Sequence, residues 1–271
     1  MNVEKAYHQV LKFAHIVGLK LIFRQPAVPI DKKIINPNNT MSLDEYYDYL
    51  MKSNDTNNYS FEKKYANQEE ILFKICGQAR NMNGHIRLLV LADTHNTLDE
   101  EEFKSFVLNH NNYDVCLLLG DFGYRDLPII LKYVEKDKIY ALLGNHDYDY
   151  ITEYNLNNLN GKVININGIK LLGIEGSFKY KPSDFPSFSQ RDSIHFLSDK
   201  EEVDILVSHD TKFNSNREKD PAHQGLFGIT YYLFKNKVPY HIHGHIHEPY
   251  RSTMINGTKE ISTFNYEFIE L

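Results

Sequence analysis

Thirteen histidines stand among the 271 residues, and several fall in short polar clusters with aspartate and asparagine. The clusters are Asp93-Thr94-His95, Gly120-Asp121, Gly144-Asn145-His146-Asp147, Ser208-His209-Asp210 and Gly244-His245-Ile246-His247. Imidazole nitrogen mixed with carboxylate oxygen suits Zn, Fe, Mn or Ni, whereas Ca favours shells built from oxygen alone. A carboxylate can also bridge two ions. The alternate spacing of Asp93 and His95, and of His245 and His247, puts both side chains of each pair on one side of an extended segment. Any one fragment is an ordinary chance occurrence in a chain so rich in histidine. The ordered set of five is not.

Each cluster directly follows a segment with the pattern of a buried strand. Ile86 to Ala92, Val115 to Leu119, Ile139 to Leu143, Val203 to Val207 and Tyr240 to His243 are short apolar runs that end in polar loops. Helical patterns lie between them, over Leu98 to Asn109, Leu127 to Glu135, Ser189 to Ser198 and Gly225 to Lys235. Asn167-Gly168 separates Lys162–Ile166 from Ile169–Ile174 and predicts a two-residue hairpin turn. The tail from Ile261 to Ile269 reads as strand. This order implies an α/β fold with two stacked mixed sheets or one large sheet. In such sheets the loops beyond the strand carboxyl ends share a rim where ligands bind. Five loops far apart in sequence are therefore expected to meet there.

Residues 1–84 have a different texture and contain none of these clusters. They carry 11 Lys+Arg and 9 Asp+Glu, a balance of +2, while the remainder carries 19 and 27, a balance of −8. Val3, Tyr7, Val10, Ala14, Val17 and Leu21 form one apolar helix face, suited to packing on the main domain or to pairing with a partner. Ser42 and Glu45 make a capping-box pattern opening a helix through about Met51. A further helix is predicted from Phe61 to Arg80, stopped by Asn81-Met82-Asn83-Gly84. The expected organisation is a helical extension over 1–84 and an α/β domain over 85–271.

Composition narrows the partners. The net charge of −6 and the absence of a basic stripe disfavour long nucleic acid. Ions bound at the rim would offset acidic charge locally, so small phosphorylated substrates stay compatible. No run approaches the roughly 18 to 20 apolar residues that span a bilayer, and Val10 to Phe23, broken by Lys12, His15 and Lys20, does not read as a signal peptide. Cys76 and Cys116 are the only cysteines; two buried thiols in a reducing cytoplasm is the expected arrangement.

The order D-x-H, G-D, G-N-H-D, H, G-H-x-H over residues 86–271 resembles that of the calcineurin-like metallophosphoesterases. The resemblance implies a four-layer α/β/β/α sandwich and a site for two divalent metal ions. Asp93, His95 and His247 would hold the first ion, and Asn145, His209 and His245 the second, with Asp121 bridging. His146 would meet the scissile phosphate or its leaving group, oriented by Asp147. The implied reaction is phosphoester hydrolysis with a metal-bound hydroxide as nucleophile. A phosphodiester in a small nucleotide-like molecule is the leading substrate; a phosphomonoester (including phosphoprotein) and a nuclease activity are alternatives, as is a metal-binding scaffold without turnover. Arg125, Arg191 and His223 are candidate substrate contacts that also read as ordinary surface residues. His241 and His243 read as buried, hydrogen-bonded histidines rather than ligands.

Overall fold

A computed structural model describes residues 42–52, 68–180, 186–214 and 220–271. The apolar face of residues 3–21 lies outside them. Among the described residues, one sheet contains β1 (Arg87–Ala92), β2 (Val115–Leu118), β3 (Ile139–Ala141), β4 (Asn157–Asn158) and β13 (Asn265–Glu270), in the order β13-β1-β2-β3-β4. Only β13 runs antiparallel to its neighbour. The other sheet contains β5 (Val163–Ile166), β6 (Ile169–Ile174), β9 (Ile205–Ser208), β10 (Tyr240–His243), β11 (Tyr250–Thr253) and β12 (Lys259–Ser262), in the order β11-β12-β10-β9-β6-β5. A short parallel pair, β7 (Ser177–Phe178) and β8 (Ser187–Phe188), stands apart.

Alternation along the strands assigns the layers. In β1, Leu88, Val90 and Ala92 join Val115, Leu117, Leu171, Ile205, Val207 and Ile242 in a core between the sheets. Leu89 and Leu91 face the other way, onto helices α3 (Glu100–Asn109) and α4 (Asp126–Tyr133) and the single turn α5 (Tyr150–Glu153). On the far side, Leu172, Ile174 and Leu206 pack with α6 (Gln190–Ser198) and α7 (Phe227–Lys235). The result is helix, sheet, sheet, helix, as a strand buried on both faces requires.

The far layer also takes up α1 (Leu43–Lys52) and α2 (Gln68–Cys76), whose Tyr46, Leu50 and Leu72 belong to the same apolar cluster as Phe227 and Tyr231. Ser42 and Glu45 form the reciprocal cap, with Ser42 N donating to Glu45 Oε2 at 2.8 Å and Glu45 N donating to Ser42 Oγ at 3.2 Å. Leu72 is fully buried. Leu72→Ala should therefore lower the unfolding free energy by about 2–5 kcal/mol. An unchanged denaturant midpoint would mean that α2 contributes nothing to the core.

Two expected elements end elsewhere. The helix predicted to reach Arg80 stops at Cys76. Gly77 has φ +74° and turns the chain, after which the Ala79 and Arg80 amides bond to Asn256 O and Lys237 O. The tail is two strands in different sheets, because Thr263 and Phe264 carry the chain across from β12 to β13. The β5–β6 hairpin forms as predicted, Asn167 and Gly168 taking φ of +55° and +88°. Cys76 and Cys116 are free thiols. No helix among the described residues is long and apolar enough to cross a membrane.

Candidate metal centre

The carboxyl ends of β1, β2 and β3 face those of β9 and β10, and the loops that follow are tied together. Asp93 N donates to Gly120 O (3.0 Å) and His95 N to Asp121 O (3.2 Å). Among the bonds that join the sheets, His245 N donates to Asp93 Oδ2 at 2.7 Å, and His209 Nδ1 lies 2.9 Å from Leu119 O. Close approach demands glycine twice. A Cβ on Gly120 would lie 2.3 Å from Gly144 N, and one on Gly144 would lie 2.0 Å from Asp121 Oδ1.

Seven of the expected residues meet at this rim. Asp93, His95 and His247 form one group and Asp121, His209 and His245 another, each with donor atoms within 4.8 Å of one another. His95 Nε2 and His247 Nε2 are 3.1 Å apart, and Asn145 Oδ1 is 3.0 Å from His209 Nε2. Asp121 lies between the groups. Its Oδ1 accepts from His146 N at 2.8 Å, and its Oδ2 is 3.9 Å from His95 Nε2 and 3.7 Å from His209 Nε2. The side chains do not reach the rim by extended alternation. Asp93, His95, Asp121, His245 and His247 all have positive φ, from +45° to +67°. Consequently His245 and His247, expected on one side, turn to different groups.

Two buried carboxylate oxygens at the rim have no hydrogen-bond donor: Asp93 Oδ1 and Asp121 Oδ2. Such atoms are costly in a protein interior, and imidazole nitrogens surround them. The donor set fits divalent transition ions. The remaining ring nitrogens support this fit. With His209 Nδ1 directed at Leu119 O and His245 Nε2 at Ala222 O (2.7 Å), the opposite nitrogens are left to the cluster. Burial works to raise the Asp93 carboxyl, but its contact with His247, whose Nε2 is 3.6 Å from Oδ1, and the charges of His209 and His245 outweigh this and hold it below its ordinary value. The same contact with Asp93 raises the His247 imidazole, against burial.

His146 is exposed, its ring centroid 6.0 Å from that of His95. Asp147 is buried, and its oxygens accept from Asp121 N (2.7 Å), Phe122 N (2.8 Å) and Gly144 N (2.7 Å). It braces the loops that carry Asp121 and His146. Burial and then the Asp121 charge push its carboxyl up to about 8, against those three donors. A cation beside Asp121 would cancel part of that repulsion. His223 reaches the rim, with its ring 5.0 Å from that of His245, and pairs with Asp220 at 2.7 Å. Arg125 is exposed just before α4, its amide bonded to Asn96 Oδ1. Arg191 is exposed in the first turn of α6, within the helical pattern read over Ser189 to Ser198.

A cleft of about 340 Å³ opens at the rim, lined by His95, Asp121 and His146 together with Asn96, Tyr124 and Tyr148. The last three were not singled out from sequence. Tyr124 and Tyr148 stack with ring centroids 4.1 Å apart and planes 14° apart. Their signal was an aromatic residue just beyond a ligand cluster, twice. Asp126 was also missed. It is buried and accepts from Thr94 Oγ1 (2.5 Å) and Asn96 N (2.7 Å), fixing the loop after β1.

The profile of the family described as calcineurin-like phosphoesterase matches residues 86–249. No curated protein matches the sequence. One solved structure, 11% identical, aligns over 69% of this chain and 95% of its own with a TM-score of 0.54. Others are TT1561 of Thermus thermophilus (13% identity, 67% and 90% covered, TM-score 0.48) and phosphopantetheinyl hydrolase of Mycobacterium tuberculosis (11%, 66% and 89%, 0.47). The first of these likenesses shows the fold.

Proposed function

Because the chain belongs to the calcineurin-like phosphoesterase family, we propose that it hydrolyses phosphoesters with two divalent ions held at the strand-end rim. The observation that carries this reading is the pair of unpartnered, buried oxygens, Asp93 Oδ1 and Asp121 Oδ2, each facing imidazoles. Asp93, His95 and His247 would hold one ion, Asn145, His209 and His245 the other, with Asp121 between them. Bound there, the ions would neutralise anionic ester oxygens and make water a competent nucleophile at neutral pH.

The chain's own residues supply the rest. His146, exposed in the cleft, donates a hydrogen bond or proton to the leaving oxygen. Asp147 acts through the backbone, holding the Asp121 and His146 loops in register. His223 and Arg125 flank the site as candidate phosphate contacts; Arg191, on α6, is the weakest of the three. Residues 1–84 form the proposed extension to a catalytic domain over 85–271, with α2 walling one side of the rim. The ion pair between Glu69 of α2 and Lys212 ties α2 to the segment that follows β9 (2.7 Å).

The Tyr124–Tyr148 stack favours a small nucleotide-like diester. Tyr124 is 68% exposed, so one ring face is open to a planar base. Stacking of a base on an aromatic side chain contributes about 1–3 kcal/mol. Tyr124→Ala should raise KM for a nucleoside ester roughly 10-fold and leave KM for glycerol phosphate unchanged. Equal effects on both would remove the base from the reading and favour a general phosphomonoesterase.

The central test is a screen of simple mono- and diesters with Mn, Ni, Zn, Fe and Mg. Hydrolysis should appear with metal and vanish with chelator. Bound ions without turnover on any ester would leave a metal-binding scaffold. Ion counts should differ by two between the protein and its Asp93→Asn/Asp121→Asn double variant.

A further inference from the structure

A second group of potential ligands sits away from the rim, among the buried residues of the other sheet. His241 and His243 of β10 project from the face opposite Ile242, which belongs to the core between the sheets. Glu260 of β12 is in register with His241. Both imidazoles are fully buried and the glutamate is 3% exposed. Glu260 Oε1 lies 3.5 Å from His243 Nε2 and 4.0 Å from His241 Nδ1, and the three atoms are mutually within 4.8 Å.

The surrounding hydrogen bonds fix which atoms carry lone pairs. The Ser208 hydroxyl donates its one proton to Asp210 O at 2.6 Å. Its oxygen must therefore accept from His241 Nε2, 2.7 Å away. That leaves His241 Nδ1 as the bare nitrogen, and it is the atom of this ring without a partner. On His243, Nδ1 lies 2.9 Å from Gly244 O and is the donor nitrogen, so Nε2 carries the lone pair, with the Tyr250 hydroxyl at 3.1 Å and Thr211 Oγ1 at 3.4 Å. Ser252 Oγ donates to Glu260 Oε2 at 2.7 Å and turns Oε1 inward. Three acceptor atoms thus converge among buried residues; Thr211 Oγ1 donates to Glu260 Oε1 at 3.2 Å, and His241 Nδ1 has no donor. A cation at their centre would replace the repulsion between these lone pairs with attraction and give His241 Nδ1 the partner it lacks. The nearby cation, Lys212, has its ammonium bonded to Glu69 of α2 at 2.7 Å.

We propose that His241, His243 and Glu260 bind a structural zinc ion distinct from the ions of the rim. Two imidazoles and one carboxylate are a zinc donor set, and bonds of about 2.0–2.2 Å bring ligand atoms roughly 3.3–3.5 Å apart, a contraction from the 3.5 and 4.0 Å of Glu260 Oε1 to the two rings. The Tyr250 hydroxyl, 3.1 Å from His243 Nε2, is the oxygen placed to complete four. The ion would clamp β10 to β12 one residue before the loop bearing His245 and His247. Each histidine has its second nitrogen bonded outward, as in supported metal sites.

The test uses the full-length chain, stripped with chelator and reloaded with Zn²⁺, with ions counted by native mass spectrometry. Glu260→Gln and His241→Asn should each hold one zinc fewer than the unmodified chain, however many ions the rim takes. Cobalt-loaded protein should show a tetrahedral visible band that both variants lose. Equal counts in folded protein would overturn the proposal and leave a buried hydrogen-bonded cluster of His241, His243 and Glu260. If either variant does not fold, the Asp93→Asn/Asp121→Asn chain decides: it should retain one tightly held zinc, and an ion-free chain would refute the site. Loss of the rim function alone leaves this count untouched, so the two readings fail separately.

Discussion

His146→Ala should lower kcat on a simple phosphoester by about 10²-fold or more, the usual scale for losing an acid catalyst, with the ion count unchanged. The expectation rests on where the residue sits. Its side chain is exposed in the cleft beside His95, while its backbone amide supports Asp121 Oδ1. Alanine keeps that amide and removes only the imidazole. KM should move little, because a proton donated to the leaving oxygen matters in the transition state and not in the bound ester. An ester with a very acidic leaving group needs no such proton, so the variant should recover most of its rate there. Unchanged turnover on an alkyl ester would remove His146 from the reaction.

Asp121→Asn should lose metal and activity together. The substitution keeps the shape of the side chain and so the acceptor for His146 N. It removes the negative charge between the two groups and places either an amide NH₂ or a neutral oxygen where Oδ2 now points. Losing a supporting residue outside a metal's ligands already costs about 10–100-fold in affinity; losing a shared anionic ligand should cost more. The measurement is an isotherm for Mn binding beside kcat on the same preparation. Native affinity with lost activity would assign Asp121 to chemistry and not to holding ions.

What the sequence revealed follows from how local each determinant is. Buried strands ending in Asp, Asn or His can be read directly, since burial on both faces leaves an uninterrupted apolar run and the change to polar residues marks the strand end. The Ser42/Glu45 cap and the Asn167-Gly168 turn are settled within four residues and formed as expected. The division of His245 and His247 between groups came from the family resemblance and not from their spacing, because it depends on backbone twists that neither side chain encodes. Nor was the pairing of His241 with Glu260, residues 19 positions apart that are joined only by the register of β10 on β12. Tyr124 and Tyr148 lie on different loops, and nothing short of the folded rim puts one ring on the other. The tail misled because its alternation continues across a crossing between sheets.

The left-handed backbone at Asp93, His95, Asp121, His245 and His247 sets stability against chemistry at those positions. Each conformation disfavours an L residue by about 1 kcal/mol or more, and glycine would relieve most of it. Mutants chosen for thermostability alone would therefore drift toward glycine or asparagine at these five sites and emerge sturdier and inactive. Metal held as proposed would reverse that preference: an ion that binds only the folded chain adds RT ln(1 + [L]/Kd) to its stability. The melting temperature of the natural sequence should thus follow the free metal concentration, whereas that of a glycine-relaxed variant should not. Stability selection would preserve these residues only while metal is supplied.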